Sequence, residues 1–313
     1  MAQLDGIFAP APLLIFSPRS HHAIELLGDD LTVMQRRFKQ IDVFCNQPYL
    51  GNPLGVVLDG GGLSDAEMQA FARWKNLSET TFLLPPTTPE ADYRVRTFTP
   101  VRELPFAGHP TLGSCHAWLE AGGTPRSAER IVQECPAGLV SIRRDGQTLA
   151  FAAPNLRRSG PVDDETLHQI ARGLRISRAE ILHHQWTDNG PGWVTVMLSS
   201  APAVLSLEPD FDAMRGLEVG VVGAYTGGSE CQWEVRAFIT IGTPVGYEDP
   251  VTGSLNAGIG QWLTGAGLSG KRYVASQGTA LGRSGRVHIE RDEAGQVWVG
   301  GNTVTCIDGT VSL

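Results

Sequence analysis

The chain has 313 residues, a formal net charge of -8 and a hydrophobic fraction of 42%. This length exceeds what one hydrophobic core usually supports, so it favours two domains. An acidic chain gains no affinity from counterion release at phosphates, and this one has no basic amphipathic stretch. Nucleic acids and membrane surfaces are therefore excluded as expected partners.

The first 35 residues resemble no later part of the chain. An apolar run over residues 8–16 is broken by two prolines and is too short to cross a bilayer. The residues before this run include Asp5 and no lysine or arginine, so they do not form a secretory signal. We therefore expect a cytoplasmic protein in which residues 1–35 are an extension outside the core fold, with the folded part beginning near Met34.

From that point the pattern predicts a mixture of strands and helices. Ser64 is followed three residues later by Glu67, which forms a capping box and predicts the start of a helix. A run of small residues after Pro110 predicts a tightly packed helix, and Ser177 with Glu180 predicts a capped helix in the second half. Alternating and β-branched segments predict strands over residues 38–44, 53–58, 80–84 and 93–98.

The chain also contains an internal repeat. Adding 140 to a residue number in the first half leads to the same residue type in the second half, without a gap. The matching pairs are Val95 and Val235, Arg96 and Arg236, Phe98 and Phe238, Pro110 and Pro250, Gly113 and Gly253, Ser114 and Ser254, and Ala117 and Ala257. Such self-similarity indicates that the two halves are duplicated.

The repeat predicts how the chain is organised. In each half, strands are followed by a helix rich in glycine and alanine, whose small side chains allow close approach to surrounding strands. We therefore expect an α/β (α+β) fold of two pseudo-symmetric lobes, each a curved β-sheet or barrel around a central helix. The N-terminal lobe is placed at residues 36–152, completed by a strand near residues 303–313, and the C-terminal lobe at residues 153–302. Ligands usually bind in the cleft between such lobes.

Two ionisable residues occupy matching places in the repeat. His109 and Asp249 correspond under the offset of 140, and each precedes a proline that we expect to open a helix. A helix N-terminus has unpaired N–H groups and the positive end of the helix dipole, so two of them facing one cleft suit a small acid. Gly108, Gly253 and Ser254 are candidates for the backbone and hydroxyl donors. The alternative, in which Asp249 only caps its helix and His109 only satisfies a buried carbonyl, stays open.

Glu79 is a third candidate site residue. It stands at the mouth of a predicted strand, in the segment Asn-Leu-Ser-Glu-Thr-Thr-Phe. A carboxyl group partly desolvated there would have a raised pKa and could both accept and donate a proton near neutral pH. An ordinary surface glutamate at a strand edge is the other interpretation, and spacing alone does not decide between them.

Three motifs, in this order along the chain, resemble the signature of the PhzF family of phenazine biosynthesis. They are the segment around Glu79, residues 108–111 (Gly-His-Pro-Thr) and residues 248–254 (Glu-Asp-Pro-Val-Thr-Gly-Ser). Residues 51–54 (Gly-Asn-Pro-Leu) and the stretch 277–285 are also similar to that family. The resemblance runs from about residue 36 to the C-terminus and leaves only the N-terminal extension without a counterpart.

The resemblance implies a diaminopimelate-epimerase-like fold, a homodimer, and an isomerase without a metal or organic cofactor. The phenazine enzyme isomerises trans-2,3-dihydro-3-hydroxyanthranilate by moving a hydrogen along the ring system. Carried over by position, Glu79 would shuttle the proton, while His109, Asp249 and Ser254 would orient a small carboxylate substrate and tune the transfer. The backbone donors to the substrate carboxylate would be Gly108 and Gly253.

Other classes of protein fit the sequence less well. A non-catalytic binder of small acids on the same fold is the main alternative, but it would not need an acid/base group such as Glu79. Racemases of related fold use two facing cysteines, whereas Cys115 has no counterpart in the second half.

The five cysteines include no C-x-x-C pair, so we expect buried thiols and no metal site. Residues 60–62 do not form a G-x-G-x-x-G turn and no G-x-x-x-x-G-K-[ST] loop occurs, which argues against a nucleotide-dependent oxidoreductase.

Overall fold

The duplication in the sequence is also a duplication of secondary structure. The computed structural model describes residues 34–127, 129–146 and 148–313, so residues 1–33 of the predicted extension lie outside the described part. The first half contains strands β1 (Gln35–Val43), β2 (Asn52–Val57), β3 (Glu79–Leu84), β4 (Tyr93–Phe98), β5 (Glu103–Leu104), β6 (Ile131–Cys135), β7 (Gly138–Asp145) and β8 (Thr148–Ala152). Its helices are α1 (Asp65–Lys75) and α2 (Gly108–Glu120).

The second half repeats this series of elements. Its strands are β9 (His183–Trp186), β10 (Trp193–Met197), β11 (Glu218–Ala224), β12 (Trp233–Ile239), β13 (Tyr247–Asp249), β14 (Arg272–Gln277), β15 (Gly285–Arg291) and β16 (Val297–Gly301). Its helices are α3 (Asp164–Leu174), α4 (Ala201–Leu205) and α5 (Gly253–Gly265), and two short 3-10 turns cover Arg178–Glu180 and Thr279–Leu281. The last strand is β17 (Thr303–Ser312).

Strand pairing gives the two halves the same topology. The main sheet runs in the order β17-β1-β2-β3-β4-β6-β7-β8-β16-β15-β14-β12-β11-β10-β9, with β5 added to β4 and β13 added to β12. The parallel pairs β2–β3 and β4–β6 in the first half correspond to β10–β11 and β12–β14 in the second. The antiparallel pair β8–β16 joins the two series. The pseudo-two-fold relation therefore passes between β8 and β16.

A helix lies against the sheet in the middle of each half. Helix α2 packs against β1, β2, β3 and β8, and α5 packs against β10, β15 and β16. Leu112 and Leu255 on these helices have no solvent exposure, so both helices lie within the core. A Cβ atom at Gly258 would lie 2.3 Å from the backbone oxygen of Thr187, which explains why this helix needs small residues. The predicted fold class, with two similar halves that each contain a central helix, is confirmed.

Local predictions were confirmed at α1 and wrong in the second half. Glu67 N donates to the Ser64 hydroxyl at 3.3 Å, and the Glu67 side chain accepts from Ser64 N at 2.7 Å, which is the predicted capping box. The helix predicted from Ser177 does not form. Its capping box closes only the 3-10 turn Arg178–Glu180, because Leu182 N then donates to the backbone of Met197 and the chain enters β9.

The end of the chain returns to the first half. Strand β17 pairs with β1 along its whole length, from Gln35 opposite Ser312 to Val43 opposite Thr303. Lobe boundaries at residues 36–152 and 153–302 stay a prediction. Among the helices of the described ranges, none is both long and apolar enough to span a membrane.

Candidate active site

The site is built where the two central helices begin. A Cβ atom on Gly108 would lie 2.9 Å from the Cα atom of Gly253, and a Cβ atom on Gly253 would lie 2.9 Å from the Cα atom of Gly108. These two glycines are the first residues of α2 and α5, and no side chain caps either helix start. Two uncapped N-termini therefore meet, and their N–H groups and dipoles favour an anion at this point.

The repeat shifts by five residues just before the helices. The strand starts Tyr93 and Trp233 differ by 140, whereas the helix starts Gly108 and Gly253 differ by 145. The same shift appears in two matching ion pairs, which are seven residues apart in the first half and 12 apart in the second. These pairs are Arg96 with Glu103 and Arg236 with Glu248.

This shift corrects one inference from the sequence. His109 is the second residue of α2 and corresponds in the structure to Ser254, whereas Asp249 ends β13, before α5 begins. Pro250 therefore does not open a helix. The gap-free offset was wrong because the segment between β12 and β13 is longer than the turn between β4 and β5. The two ionisable residues still come together, but from different positions in the repeat.

Glu79 and His109 face each other at the start of β3. Helix α1 ends at Lys75, and the left-handed backbone of its C-cap Asn76 (φ 53°) turns the chain so that Glu79 becomes the first residue of the strand. Glu79 Oε2 lies 3.4 Å from His109 Nε2, and their side chains are 15% and 5% exposed. Within the described residues, neither atom has a hydrogen-bond partner. A buried carboxyl and a buried imidazole therefore each present an unused polar atom to the same place.

The protonation of this pair follows from its burial. Burial raises the pKa of Glu79 to about 8, and the nearby negative charge of Asp249 raises it further in the same direction. Burial lowers the pKa of His109 to about 3, so its imidazole is neutral at physiological pH. A carboxyl group with a pKa near 8 can both take up and release a proton in this range.

Asp249 lies behind this pair in a network of hydrogen bonds. It accepts from Thr252 Oγ1 at 2.5 Å, from Asn52 Nδ2 at 3.2 Å and from Ser78 Oγ at 3.3 Å. Burial raises the pKa of Asp249 to about 6, against the effect of these donors, which favour the ionised form. The Asp249 carboxylate is thus a second buried charge at the site, held in a fixed orientation.

Asn52 connects two of the predicted residues, His109 and Asp249, a role that the sequence did not indicate. Its amide nitrogen donates to Asp249 Oδ1 and to the backbone oxygen of Val251 at 2.9 Å, and it lies 3.4 Å from His109 Nδ1. A donor facing Nδ1 makes that nitrogen the acceptor, so we assign the histidine proton to Nε2, the atom nearest Glu79. Asn52 entered the sequence analysis only as part of the family-like segment 51–54, because its partners are distant along the chain.

Two further buried residues fix the start of α5. Gln277 accepts from Thr252 N at 3.0 Å and donates to the backbone oxygen of Asp249 at 3.1 Å. Trp193 donates its indole N–H to the Ser254 hydroxyl at 3.0 Å. Ser254, predicted to bind substrate, is therefore held beside the N-terminus of α5, and its hydroxyl hydrogen stays available for another acceptor.

The cysteines stand apart from this chemistry. Cys115 lies within α2, and burial raises the pKa of its thiol to about 12, so it is an inert thiol at neutral pH. Among the described residues, no group of three or more histidine, cysteine, aspartate and glutamate side chains is placed to hold a metal ion. Cofactor independence stays a prediction.

Comparison with known proteins is consistent with the fold and the motifs. The family model of phenazine biosynthesis-like proteins matches residues 41–309. The chain is 37% identical over 300 residues to antisense-enhancing sequence 1 of Schizosaccharomyces pombe, which covers 88% of this chain and 98% of that protein. It is 33% identical to the trans-2,3-dihydro-3-hydroxyanthranilate isomerase of Pseudomonas chlororaphis, over 87% of this chain and 98% of that enzyme.

A solved structure extends the comparison to the fold. The predicted epimerase of Pseudomonas aeruginosa has a TM-score of 0.71 and 27% identity to this chain, and the match covers 88% of this chain and 99% of that protein. Together with the paired helix starts, these similarities define an isomerase of epimerase-like fold. The chain belongs to the phenazine biosynthesis-like, or PhzF, family.

Proposed function

We propose that this protein isomerises a small unsaturated carboxylic acid by moving a proton between two carbons, without a cofactor, with Glu79 as the acid/base. The observation that carries this proposal is the 3.4 Å approach of Glu79 Oε2 to His109 Nε2, two buried atoms without other partners. They lie beside the only pair of helix starts that meet at a glycine–glycine contact in the described ranges.

The proton transfer can be written with this chain's own groups. The ionised Glu79 takes a proton from a substrate carbon next to a double bond, and the electron pair moves along the conjugated system. The protonated Glu79 then gives a proton to the far end of that system, so the formula of the substrate does not change. In D₂O the Glu79 carboxyl exchanges its proton with solvent before this step, so the returned hydrogen is deuterium. Acid/base transfer of this kind contributes roughly 10²- to 10⁴-fold to the rate.

The remaining predicted residues position the acid. The N–H groups of Gly108 and Gly253 would bind the substrate carboxylate at the two helix starts, and the Ser254 hydroxyl would donate beside them. Neutral His109 would donate its Nε2 hydrogen to the substrate, and Asp249 would orient a hydroxyl or amino group. Trans-2,3-dihydro-3-hydroxyanthranilate, or a related acid, has the carboxylate and the conjugated carbons that this arrangement needs.

Deuterium exchange tests the proposal. The protein would be incubated in D₂O with trans-2,3-dihydro-3-hydroxyanthranilate and a panel of cyclic unsaturated acids, and labelling of the substrate carbons would be followed by NMR. We expect labelling by the wild type and a loss of at least about 10²-fold in the Glu79→Gln variant. Glu90→Gln is the matched control, because Glu90 is exposed and lies outside the site.

Each alternative gives a different result. Labelling of an acid by Glu79→Gln at the wild-type rate would show that another group transfers the proton. Binding of an acid without labelling by either protein would favour the non-catalytic binder of small acids. The homodimer that the family resemblance implies stays a prediction, which sedimentation velocity of the purified protein would test, as does the cytoplasmic location.

A further inference from the structure

The repeat places a second glutamate at the position of Glu79. Glu218 is the first residue of β11, as Glu79 is the first residue of β3. In the parallel pairs, Glu79 lies opposite Leu54 and Glu218 lies opposite Trp193. Each glutamate is followed by a residue that pairs with the matching phenylalanine of the repeat, Phe98 or Phe238. The two carboxylates are therefore equivalent in the fold.

The surroundings of Glu218 differ from those of Glu79. Glu218 is 5% exposed, and both of its oxygens accept backbone hydrogen bonds, from Thr240 N at 3.1 Å and from Ile241 N at 3.3 Å. Across the described ranges, no lysine, arginine or histidine nitrogen forms an ion pair with it. Burial raises the pKa of Glu218 to about 8, although the two N–H groups act in the opposite direction. A buried carboxyl group without an ion-pair partner in the described ranges is costly, so its two N–H bonds have to be maintained.

These hydrogen bonds hold the segment that carries Asp249. Thr240 is the first residue after β12, and residues 240–246 lead directly into β13, which ends at Asp249. The start of this segment is also tied to the residue before Glu218, since the Thr240 hydroxyl donates to Leu217 O at 2.6 Å. Asp249 in turn pairs with Ala237 on β12. The position of the segment thus depends on contacts at the start of β11.

The first half needs no such contact. There the connection from β4 to β5 is a tight turn, closed by a hydrogen bond from Thr99 N to Arg102 O at 2.8 Å. The residue that matches Thr240 is Pro100, which has no N–H group to donate. Glu79 is left with an unpartnered oxygen, whereas the longer segment of the second half occupies both oxygens of Glu218. Two equivalent glutamates therefore have different surroundings.

We propose that Glu218 is a positioning residue, whose carboxyl group holds residues 240–246 and thereby fixes Asp249 at the site. The effect on catalysis rests on the proposed function, but the effect on the segment does not. Each Glu218 oxygen accepts a backbone N–H, and we assign the residue no contact with the reacting atoms.

The test combines amide exchange, a carboxyl titration and turnover in the full chain. Glu218→Gln keeps the shape of the side chain but retains only one acceptor oxygen, so one of the two N–H groups loses its partner. We expect hydrogen exchange at the amides of Thr240 and Ile241 to become about tenfold faster, which corresponds to one lost hydrogen bond. The matched control is Glu293→Gln, an exposed glutamate in the turn between β15 and β16.

Turnover separates positioning from general destabilisation. In Glu218→Gln we expect kcat for deuterium labelling to fall about tenfold or more, with KM changed less than about threefold, because the helix starts that bind the carboxylate are untouched. The pKa of Asp249, followed by ¹³C NMR of its carboxyl carbon, should shift in this variant and not in the control. If a Glu218→Ala variant does not fold, the glutamine variant with its similar shape still decides the question.

Three results would overturn the proposal. Unchanged amide exchange at residues 240 and 241 would show that Glu218 does not hold the segment. Faster exchange with unchanged kcat would show that the segment does not position the site. Loss of labelling with unchanged amide exchange would make Glu218 a proton-transfer group itself. If the wild type labels no acid at all, the proposed function fails, and amide exchange with the Asp249 titration still tests the role of Glu218.

Discussion

Glu79 Oε2 and His109 Nε2 lie 3.4 Å apart, and in the described part of the chain neither atom has another hydrogen-bond partner. Buried polar groups normally have hydrogen-bond partners, so two buried atoms without partners destabilise the fold. A role in the reaction explains why the protein keeps them. The distance is too long for a strong hydrogen bond, and a substrate group at the helix starts could use either atom. Predictions about this pair are therefore predictions about the mechanism.

The first prediction concerns stability. Folding raises the pKa of Glu79 from its usual value near 4.5 to about 8, so the folded state favours the protonated side chain. The contribution of Glu79 to the free energy of unfolding is fully present below pH 4.5 and is lost as pH rises through 8. Glu79→Gln carries no charge, so it escapes this loss. We expect the variant to match the wild type at pH 5 and to exceed its free energy of unfolding by roughly 2–4 kcal/mol at pH 9.

Urea unfolding at several pH values measures this difference. Glu90→Gln is the control, because Glu90 is exposed. The free energies of unfolding of this variant and of the wild type should change in parallel with pH. A constant difference between Glu79→Gln and the wild type across pH 5–9 would mean that burial does not raise the pKa of Glu79.

A second prediction concerns the pH dependence of turnover. The value of kcat/KM reports ionisation in the free enzyme, and Glu79 must be ionised to take up a proton. We expect kcat/KM to rise about tenfold per pH unit from pH 6 to 8 and to level off above 8. Asp249, with a pKa of about 6, should steepen the profile below pH 6, and neutral His109 should add no step between pH 5 and 9.

The substrate for this profile should have no group that ionises between pH 5 and 9. A profile that stays flat between pH 6 and 8 would contradict the assignment of Glu79 as the base.

The sequence indicated much of this site because local rules apply to it. Glu79 at a strand start and a helix of small residues around Pro110 follow from strand and helix patterns, whereas the helix start at Gly253 differs from the expected start at Pro250. The repeat itself was visible because the strands kept their core residues. The fold class and the duplication of the chain could therefore be predicted from the sequence.

What the sequence did not indicate depends on contacts between distant residues. Asn52 and Asp249 are 197 positions apart, and no local pattern links a turn asparagine to a later carboxylate. The five-residue shift was invisible because Pro110 and Pro250 match in type while lying at different places relative to their helices. Likewise, the equivalence of Glu79 and Glu218 requires the strand register, which only the structure provides.

A third prediction follows from the position of Asn52. This residue has no solvent exposure and donates to groups on both sides of the site. Asn52→Ala leaves the Val251 carbonyl without this donor and opens a cavity, so we expect the free energy of unfolding to fall by about 2–4 kcal/mol. Asn155→Ala, at an exposed asparagine, is the control.

The same variant has a second readout. Loss of the Asn52 donor should raise the pKa of Asp249 above about 6, because that hydrogen bond favours the ionised form. A ¹³C NMR titration of the Asp249 carboxyl carbon would measure this shift. A variant that is destabilised but keeps the wild-type pKa of Asp249 would limit Asn52 to a structural role.

The fourth prediction concerns the contact between the helix starts. An alanine Cβ at Gly108 would lie 2.9 Å from the Gly253 Cα atom, and also 2.8 Å from the Phe151 ring, and Gly253→Ala brings the same conflict from the other side. Backbone atoms cannot yield as a flexible side chain can, so the two helix starts must separate. We expect each alanine variant to lose about 1–3 kcal/mol of unfolding free energy and to bind the substrate acid at least about tenfold more weakly.

Gly61→Ala is the matched control, because a Cβ atom there meets nothing within 4 Å. Equal acid binding by Gly108→Ala, Gly253→Ala and Gly61→Ala would show that the carboxylate does not bind at the meeting point of α2 and α5.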